Sequence, residues 1–388
     1  MRLIYPPAHA FIPSGVRQLG LKGHTTGYGS AVHVGLVAPP WIPVPPPAYG
    51  GTEAVIAALE DGLSRRGIRT TLFAHAESSA RGTLLSAEPP VDGIHMGDAM
   101  TELSWAAAAN EALADCDVIH HHTFAGVVCS PRSHGLVMTN HGPFEPRSEA
   151  LLEHVAAKAR VIAISRSHGR SANVPVTVIH HGVDLQQFPV GRGRGDYLLF
   201  LGRLDPSKGA HTAIEVAERA GCPLIIAAKM RDPHERQYFH EYIEPRLSDR
   251  VRFVKEPARP RIMKLLGDAV ALVNPIQWNE PFGMVMIEAQ ACGTPVLAFA
   301  CGAAPELIKQ GRTGFISSSV DAMVADVGRV DTISRRDVRA HVETRFSADR
   351  MVDRHLALYE AVANEPESSR LALVEIDAEA EQHRARPA

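Results

Sequence analysis

Residues 186–203, "QQFPVGRGRGDYLLFLGR", end one pattern and start another. Upstream, short apolar runs alternate with helical or loop segments: "VHVGLVAPP" (32–40), "RTTLFAH" (69–75), "DVIHH" (117–121), "LVMTNHG" (136–142), "RVIAIS" (160–165) and "VTVIHHG" (176–182). The glycine- and arginine-rich stretch interrupts this, and six more runs follow: "YLLFLGR", "PLIIAAK", "VRFVK", "AVALVNP", "PVLAFA" and "TGFIS". Strand–helix alternation implies parallel sheets covered on both faces. The break at 186–196 therefore divides the chain into two α/β domains of similar build. A length of 388 residues agrees, since a single core rarely grows past about 250–300 residues. The domains are expected at 31–188 and 189–345. Residues 1–30 read as a loose extension, or as the product of a start codon placed too far upstream. Residues 365–388 read as a polar tail.

Composition narrows the function. A net charge of −3 provides no basic footprint for nucleic acid. Five scattered cysteines without C-x-x-C spacing point to reduced thiols in a cytosolic, cytoplasmic setting, with neither a disulfide frame nor a zinc site. There is no apolar run of the length a membrane helix needs, and the first thirty residues lack a signal peptide's apolar region. "DVIHHH" (117–122) reads as a buried strand running onto its loop, because successive strand residues face opposite ways and do not converge on a metal.

The chemistry-bearing residues sit at strand exits. In "GGTEAVIAALEDGLSRRG" (50–67), Val55, Ile56, Leu59 and Leu63 have helical spacing, with Thr52 as the expected N-cap and Gly67 as the stop. Gly50 and Gly51 open this helix where backbone N–H groups can meet a phosphate. His141 follows another strand in "TNHGP". In "FLGRLDPSKG" (200–209), Arg203 and Lys208 flank a loop at a strand's carboxyl end, suiting a diphosphate. "GRGRG" (191–195) mimics a dinucleotide fingerprint but precedes its strand, and no phosphate-loop motif is present.

"NEPFGMVMIEAQACGTP" (279–295) carries Glu280 and Glu288 eight positions apart. Pro281 suits a first helical position, which sets Glu280 at the helix start with Phe282, Gly283 and Met284 in the first turn. Eight residues of helix span ~12 Å. Glycosidase carboxylates stand about 5–9.5 Å apart, so this spacing favours two grips on one extended ligand over an acid/base pair. Two solvated charges are the bland alternative.

These motifs, in this order, resemble the retaining glycosyltransferases of family 4 (group 1 type), from about residue 32 to 363. "GRLDPSKG" is similar to that family's G-R-x-x-x-x-K-G element. "NEPFGMVMIEAQACGTPVLA" is similar to its E-x7-E signature, continued by "GAAPELIKQGRTGFI". The resemblance implies a GT-B fold, with two Rossmann-like doubly wound domains facing each other across a cleft. It also implies transfer of a sugar from a nucleoside-diphosphate sugar, with retention and without a metal or other cofactor. Arg203 and Lys208 would neutralise the diphosphate, and Glu288 would hold the ribose. Glu280 would lie by the donor sugar, with Phe282, Gly283, Met284 and Val285 offering backbone to it. Gly51 would line the phosphate site from across the cleft, and His141 would lie near the reacting sugar. A return helix at 346–364 would cross back to the first domain on Met351, Leu356 and Tyr359. His181 departs from the family's usual asparagine. Lys255-Glu256 replaces a commoner glycine turn near the expected base pocket and leaves the base unspecified.

The alternatives are a nucleotide-sugar epimerase on the same fold, an inactive nucleotide-binding homologue and, further off, a phosphorylase. The acceptor, whether sugar, lipid-linked or small molecule, is not specified. No strongly basic amphipathic helix is apparent, although peripheral membrane contact stays open.

Overall fold

The computed structural model describes residues 16–21, 32–47, 50–87, 96–230 and 232–365. The first sheet holds β1 (Val16–Leu21), β2 (His33–Val37), β3 (Arg69–Phe73), β4 (Thr83–Ala87), β5 (Val118–His121), β6 (Leu136–Thr139), β7 (Arg160–Ala163) and β8 (Thr177–Val178). Their order is β1-β4-β3-β2-β5-β6-β7-β8, parallel throughout except that β1 runs antiparallel to β4. The second sheet holds β9 (Leu198–Arg203), β10 (Leu224–Lys229), β11 (Val251–Lys255), β12 (Ala271–Asn274), β13 (Val296–Phe299) and β14 (Gly314–Ser317), all parallel in the order β11-β10-β9-β12-β13-β14. Counted from β2 and from β9, both sheets follow the doubly wound order 3-2-1-4-5-6. That order opens a crevice at the carboxyl ends of the strands where the winding reverses.

Alternation along the strands builds a core on each face. Leu199 and Leu201 of β9 pack with Met286 and Ile287 on one side, while Leu198 and Phe200 pack with Ile214 and Val216 on the other. The first sheet repeats this: Val34 and Leu36 of β2 meet Ile56 and Leu59, whereas Val37 meets Phe73 and Trp105 on the opposite face.

The return helix is Ala348–Ala363, N-capped by Ser347, whose hydroxyl accepts from the Arg350 N–H. Met351, Val352, His355, Tyr359 and Val362 form its buried stripe, and Leu356 flanks it. It packs on the helix Gly51–Arg65, held at the rim by Arg66 with Asp349 (3.1 Å) and Asp353 (2.8 Å). The two chain crossings between domains run side by side: Val183 donates to Phe346, and Ala348 donates to Val183, both 2.9 Å.

Two expectations need correction. Residues 16–21 are not loose: as β1 they pair with β4 and cover the edge it would otherwise present. The remainder of 1–30 lies outside the described residues apart from that strand, as do residues 366–388 of the expected tail. The helix expected to be capped by Thr52 starts one residue earlier, at Gly51, with Gly50 as N-cap and no side-chain cap. "GRGRG" is a docking strip for the end of the helix Arg259–Asp268: Gly193 and Gly195 donate to Gly267 and Asp268. All five cysteines are free thiols. No described helix is long and apolar enough to cross a membrane.

Candidate active site

The two strand-end crevices face each other and enclose a cavity of about 350 Å³. Gly51, Thr52, His141, Ile164 and His181 line it from the first domain and the linker. Arg203, Lys208, Glu280, Phe282, Gly283, Met284 and Val285 line it from the second. Of the predicted site residues only Glu288 lies elsewhere, in an adjoining cavity of about 390 Å³ that also takes in Arg259, Phe188 and Gln187. Met284 lines both and divides them.

Each side chain is delivered by local structure. Arg203 ends β9. The loop after it is a single 3-10 turn, Pro206–Lys208, capped by Asp205, which accepts from the Ser207 N–H at 2.9 Å. Gly209 closes the turn at φ 76, where a Cβ would stand 2.3 Å from the Pro275 carbonyl oxygen. That left-handed geometry turns the chain into the helix Ala210–Ala220 and leaves Lys208 facing the cavity.

The stretch around Glu280 corrects the sequence reading. The helix begins at Met284, not at Pro281, because Gly283 is left-handed (φ 92) and serves as N-cap. Glu280, Pro281 and Phe282 therefore form a loop in front of the helix Met284–Ala291. The loop is braced by the Ala303 N–H on the Glu280 carbonyl (3.0 Å) and by the Ser165 hydroxyl of the first domain on the Pro281 carbonyl (2.7 Å).

Charges in the cavity are paired. The Lys208 ammonium bonds the Glu280 carboxylate and lies 5.2 Å from the centre of the Trp278 ring. Arg203 donates from Nε to Glu235 (2.7 Å) and from one terminal nitrogen to Asp232 (3.4 Å). Those two carboxylates are the reciprocal capping box of the helix Pro233–Tyr238, so one device caps a helix and aims a guanidinium. The sequence reading missed it, although "DPHE" (232–235) carries the spacing. Glu288 is partly buried, and burial raises its carboxyl above the usual range, against a smaller pull from Arg259. Glu256, where a glycine turn is commoner, has φ 38 and is the one non-glycine residue at positive φ among the described residues.

The histidines crowd the first-domain wall. His141 lies with its Nε2 2.8 Å from His122 Nδ1, its ring stacked on His181 at 5.1 Å. His181 in turn meets the edge of Phe282 across the cleft, 5.1 Å away. Burial pushes His141 down to about 3 and His181 well below its usual value. His120 bonds Tyr359 and Thr139 (2.7 and 2.8 Å), so the "HHH" run serves hydrogen bonds and packing. Among the described residues no group of three or more His, Cys, Asp or Glu side chains could hold a metal ion. His181 and His122 were not expected as site residues; His181 was visible only as a departure from the family pattern.

Comparison with known proteins fits this geometry. The profile of the family described as "Glycosyl transferases group 1" matches residues 185–330, and that of "Glycosyltransferase Family 4" matches 49–187. A D-inositol 3-phosphate glycosyltransferase of Mycobacterium avium (strain 104) is 26% identical, over 81% of this chain and 90% of its own. Among solved structures, a glycosyltransferase involved in avilamycin A biosynthesis superimposes with a TM-score of 0.68 at 22% identity, covering 86% of this chain and 99% of its own. Anabaena HepE, solved in complex with UDP and glucose, gives 0.68 at 19% identity, covering 85% of this chain and all of its own. Two Rossmann-like domains closing on one cleft, with a matching family profile on each, make this chain a glycosyltransferase of family 4, group 1 type, with the GT-B fold.

Proposed function

We propose that this glycosyltransferase takes its sugar from a nucleoside-diphosphate donor bound in the cleft and transfers it with retention at the anomeric carbon. Fixed protein charges, with no metal or cofactor, receive the leaving diphosphate. The observation that carries this reading is the shared cavity, in which Arg203 and Lys208 at one strand exit face Gly51 and His141 at two others. Negative charge grows on the diphosphate as the glycosidic bond breaks, and preorganised cations stabilise it where water is excluded. Lys208 has three donors, so it can keep Glu280 while binding a phosphate oxygen. Arg203 is fixed through Nε and one terminal nitrogen, leaving its other terminal nitrogen for the ligand. The backbone of Phe282–Val285 and the start of the helix Met284–Ala291 supply further donors.

In this reading Glu288 accepts from the ribose in the adjoining cavity, Glu280 lies by the donor sugar, and Gly51 lets a phosphate approach the backbone. Among the described residues, no first-domain residue lining the cavity is a carboxylate, which favours direct attack on the leaving-group face over a covalent intermediate. The free thiols suit a cytosolic enzyme.

Thermal unfolding of wild type and Lys208→Ala with UDP, GDP and ADP, with and without EDTA, tests this. A nucleotide at about 100 times its Kd adds ~2.7 kcal/mol, a rise of roughly 5–10 °C for domains of this size. One nucleotide should shift wild type regardless of EDTA and leave the variant unmoved. An equal shift in Lys208→Ala, or a shift abolished by EDTA, overturns the assignment. The anomeric configuration of the product, read by proton NMR, checks retention.

A further inference from the structure

The histidine run at 120–122 has no part in the reading above, yet one of its members touches the cavity wall. Residues alternate along β5, so His121 faces the core while His120 and His122 share the other side, their rings 4.2 Å apart. His122 Nδ1 lies 2.8 Å from His141 Nε2, and His122 Nε2 is buried with no hydrogen-bond partner among the described residues. Burial lowers both imidazoles, so each is neutral and carries one ring proton.

That leaves two arrangements. If His141 donates from Nε2, the proton of His122 sits on its own Nε2, a buried N–H with no acceptor. If His122 donates from Nδ1, only a lone pair is left unpaired at Nε2. Orphaned N–H groups are the rarer and costlier defect. The second arrangement therefore prevails, and the proton of His141 is confined to Nδ1, the one ring nitrogen that His122 does not occupy.

We propose that His122 is a positioning residue, which locks His141 in its Nδ1–H tautomer so that it meets the cavity as a hydrogen-bond donor and not as a general base. A donor at this point suits a hydroxyl or ring oxygen of the bound sugar. The surroundings hold the pair still. His120, bonded to Tyr359 of the return helix and to Thr139 of β6, backs the His122 ring, and His181 stacks on His141 from the linker. The proposal takes from the functional reading only the identity of the cavity as the sugar site. Its test needs no substrate, so the two can fail separately.

The full chain, labelled with 15N-histidine, would be observed without nucleotide by long-range 1H–15N correlation, with His141 assigned by its loss in His141→Asn. The expected wild-type pattern is a protonated Nδ1 and a bare Nε2 on His141. In His122→Phe, His141 should revert to the Nε2–H form that an unconstrained histidine side chain prefers. His122→Asn, whose amide nitrogen falls near the place of Nδ1, should restore the Nδ1–H form. A wild-type His141 protonated on Nε2 overturns the proposal, and this spectrum decides even if His122→Phe does not fold. An Nδ1–H tautomer that persists in a folded His122→Phe overturns it equally.

Discussion

On the proposed reading, Glu288 serves ribose binding at a cost in stability. It is a partly buried carboxyl that no hydrogen bond or ion pair reaches among the described residues, and burial raises its pKa while Arg259 only partly compensates. A carboxyl whose folded pKa lies above its unfolded value burdens the fold at neutral pH, and the burden vanishes once the pH is below both values. Glu288→Gln keeps the shape and removes the charge. The ligand-free variant should melt above wild type at pH 7, with the difference gone near pH 4, while the nucleotide-induced shift shrinks. A variant that melts with or below wild type at pH 7 would mean the carboxylate is satisfied in the fold. Such residues could be named from the sequence because the types and spacing of the E-x7-E and G-R-x-x-x-x-K-G elements survive intact. Their partners could not. Arg203 is set by a capping box about thirty residues on, and His141 by the residue just past β5, nineteen before it. Those pairings come from sheet order, which spacing along the chain does not encode.

At the scale of elements, twelve of the fourteen strands among the described residues were legible as apolar runs between turns, and the two missed ones have reasons. β4, "TLLSA", is short with no flanking strand-exit motif, and β1 carries a bulge between Gln18 and Gly20 that disturbs its alternation. The misplaced helix start has the same kind of cause. Pro281 fits a helix N-terminus by local preference, but Gly283 turns left-handed and delays the helix by three residues. Two backbone substitutions separate these effects. Gly283→Ala forces a Cβ into φ 92, within 2.4 Å of the flexible end of Met286, and should cost ~1–2 kcal/mol. Glu256→Gly relaxes φ 38 and should gain up to ~1 kcal/mol, offset by glycine's freedom in the unfolded chain. Melting shifts of about 2–4 °C per kcal/mol, in opposite directions, are expected. Shifts of the same sign would show that the two turns are not governed by backbone geometry.

For the whole molecule, the question is what holds the cleft as it stands. Besides the paired crossings at Val183 and Ser347, one carboxylate ties the domains. Glu306 of the second domain accepts from the N–H groups of Arg166 (2.9 Å) and Ser167, at the start of a first-domain helix, and from His180 Nε2 at 3.0 Å. Burial alone would raise its pKa, but these donors prevail and hold it below the usual carboxyl range. A lowered folded pKa stabilises above the ordinary value and ceases to as the pH falls through the folded one, so this tie is intact at neutral pH. Glu306→Ala leaves the interdomain N–H groups without their carboxylate, at a cost of ~1–3 kcal/mol. That cost falls on the interface, not on either core, so each domain should melt nearly as before. The ligand-free variant should give a larger radius of gyration by small-angle X-ray scattering. Ser165→Ala, which removes the bond to the Pro281 carbonyl together with the N-cap bond from the His168 N–H, should change it less. Scattering curves identical to wild type would show that the crossings and the packing of His181 on Phe282 set the domain angle without Glu306. An opened cleft would separate Gly51 and His141 from Lys208 and Glu280, so transfer should fall further than nucleotide binding, which the proposed reading assigns mainly to the second domain.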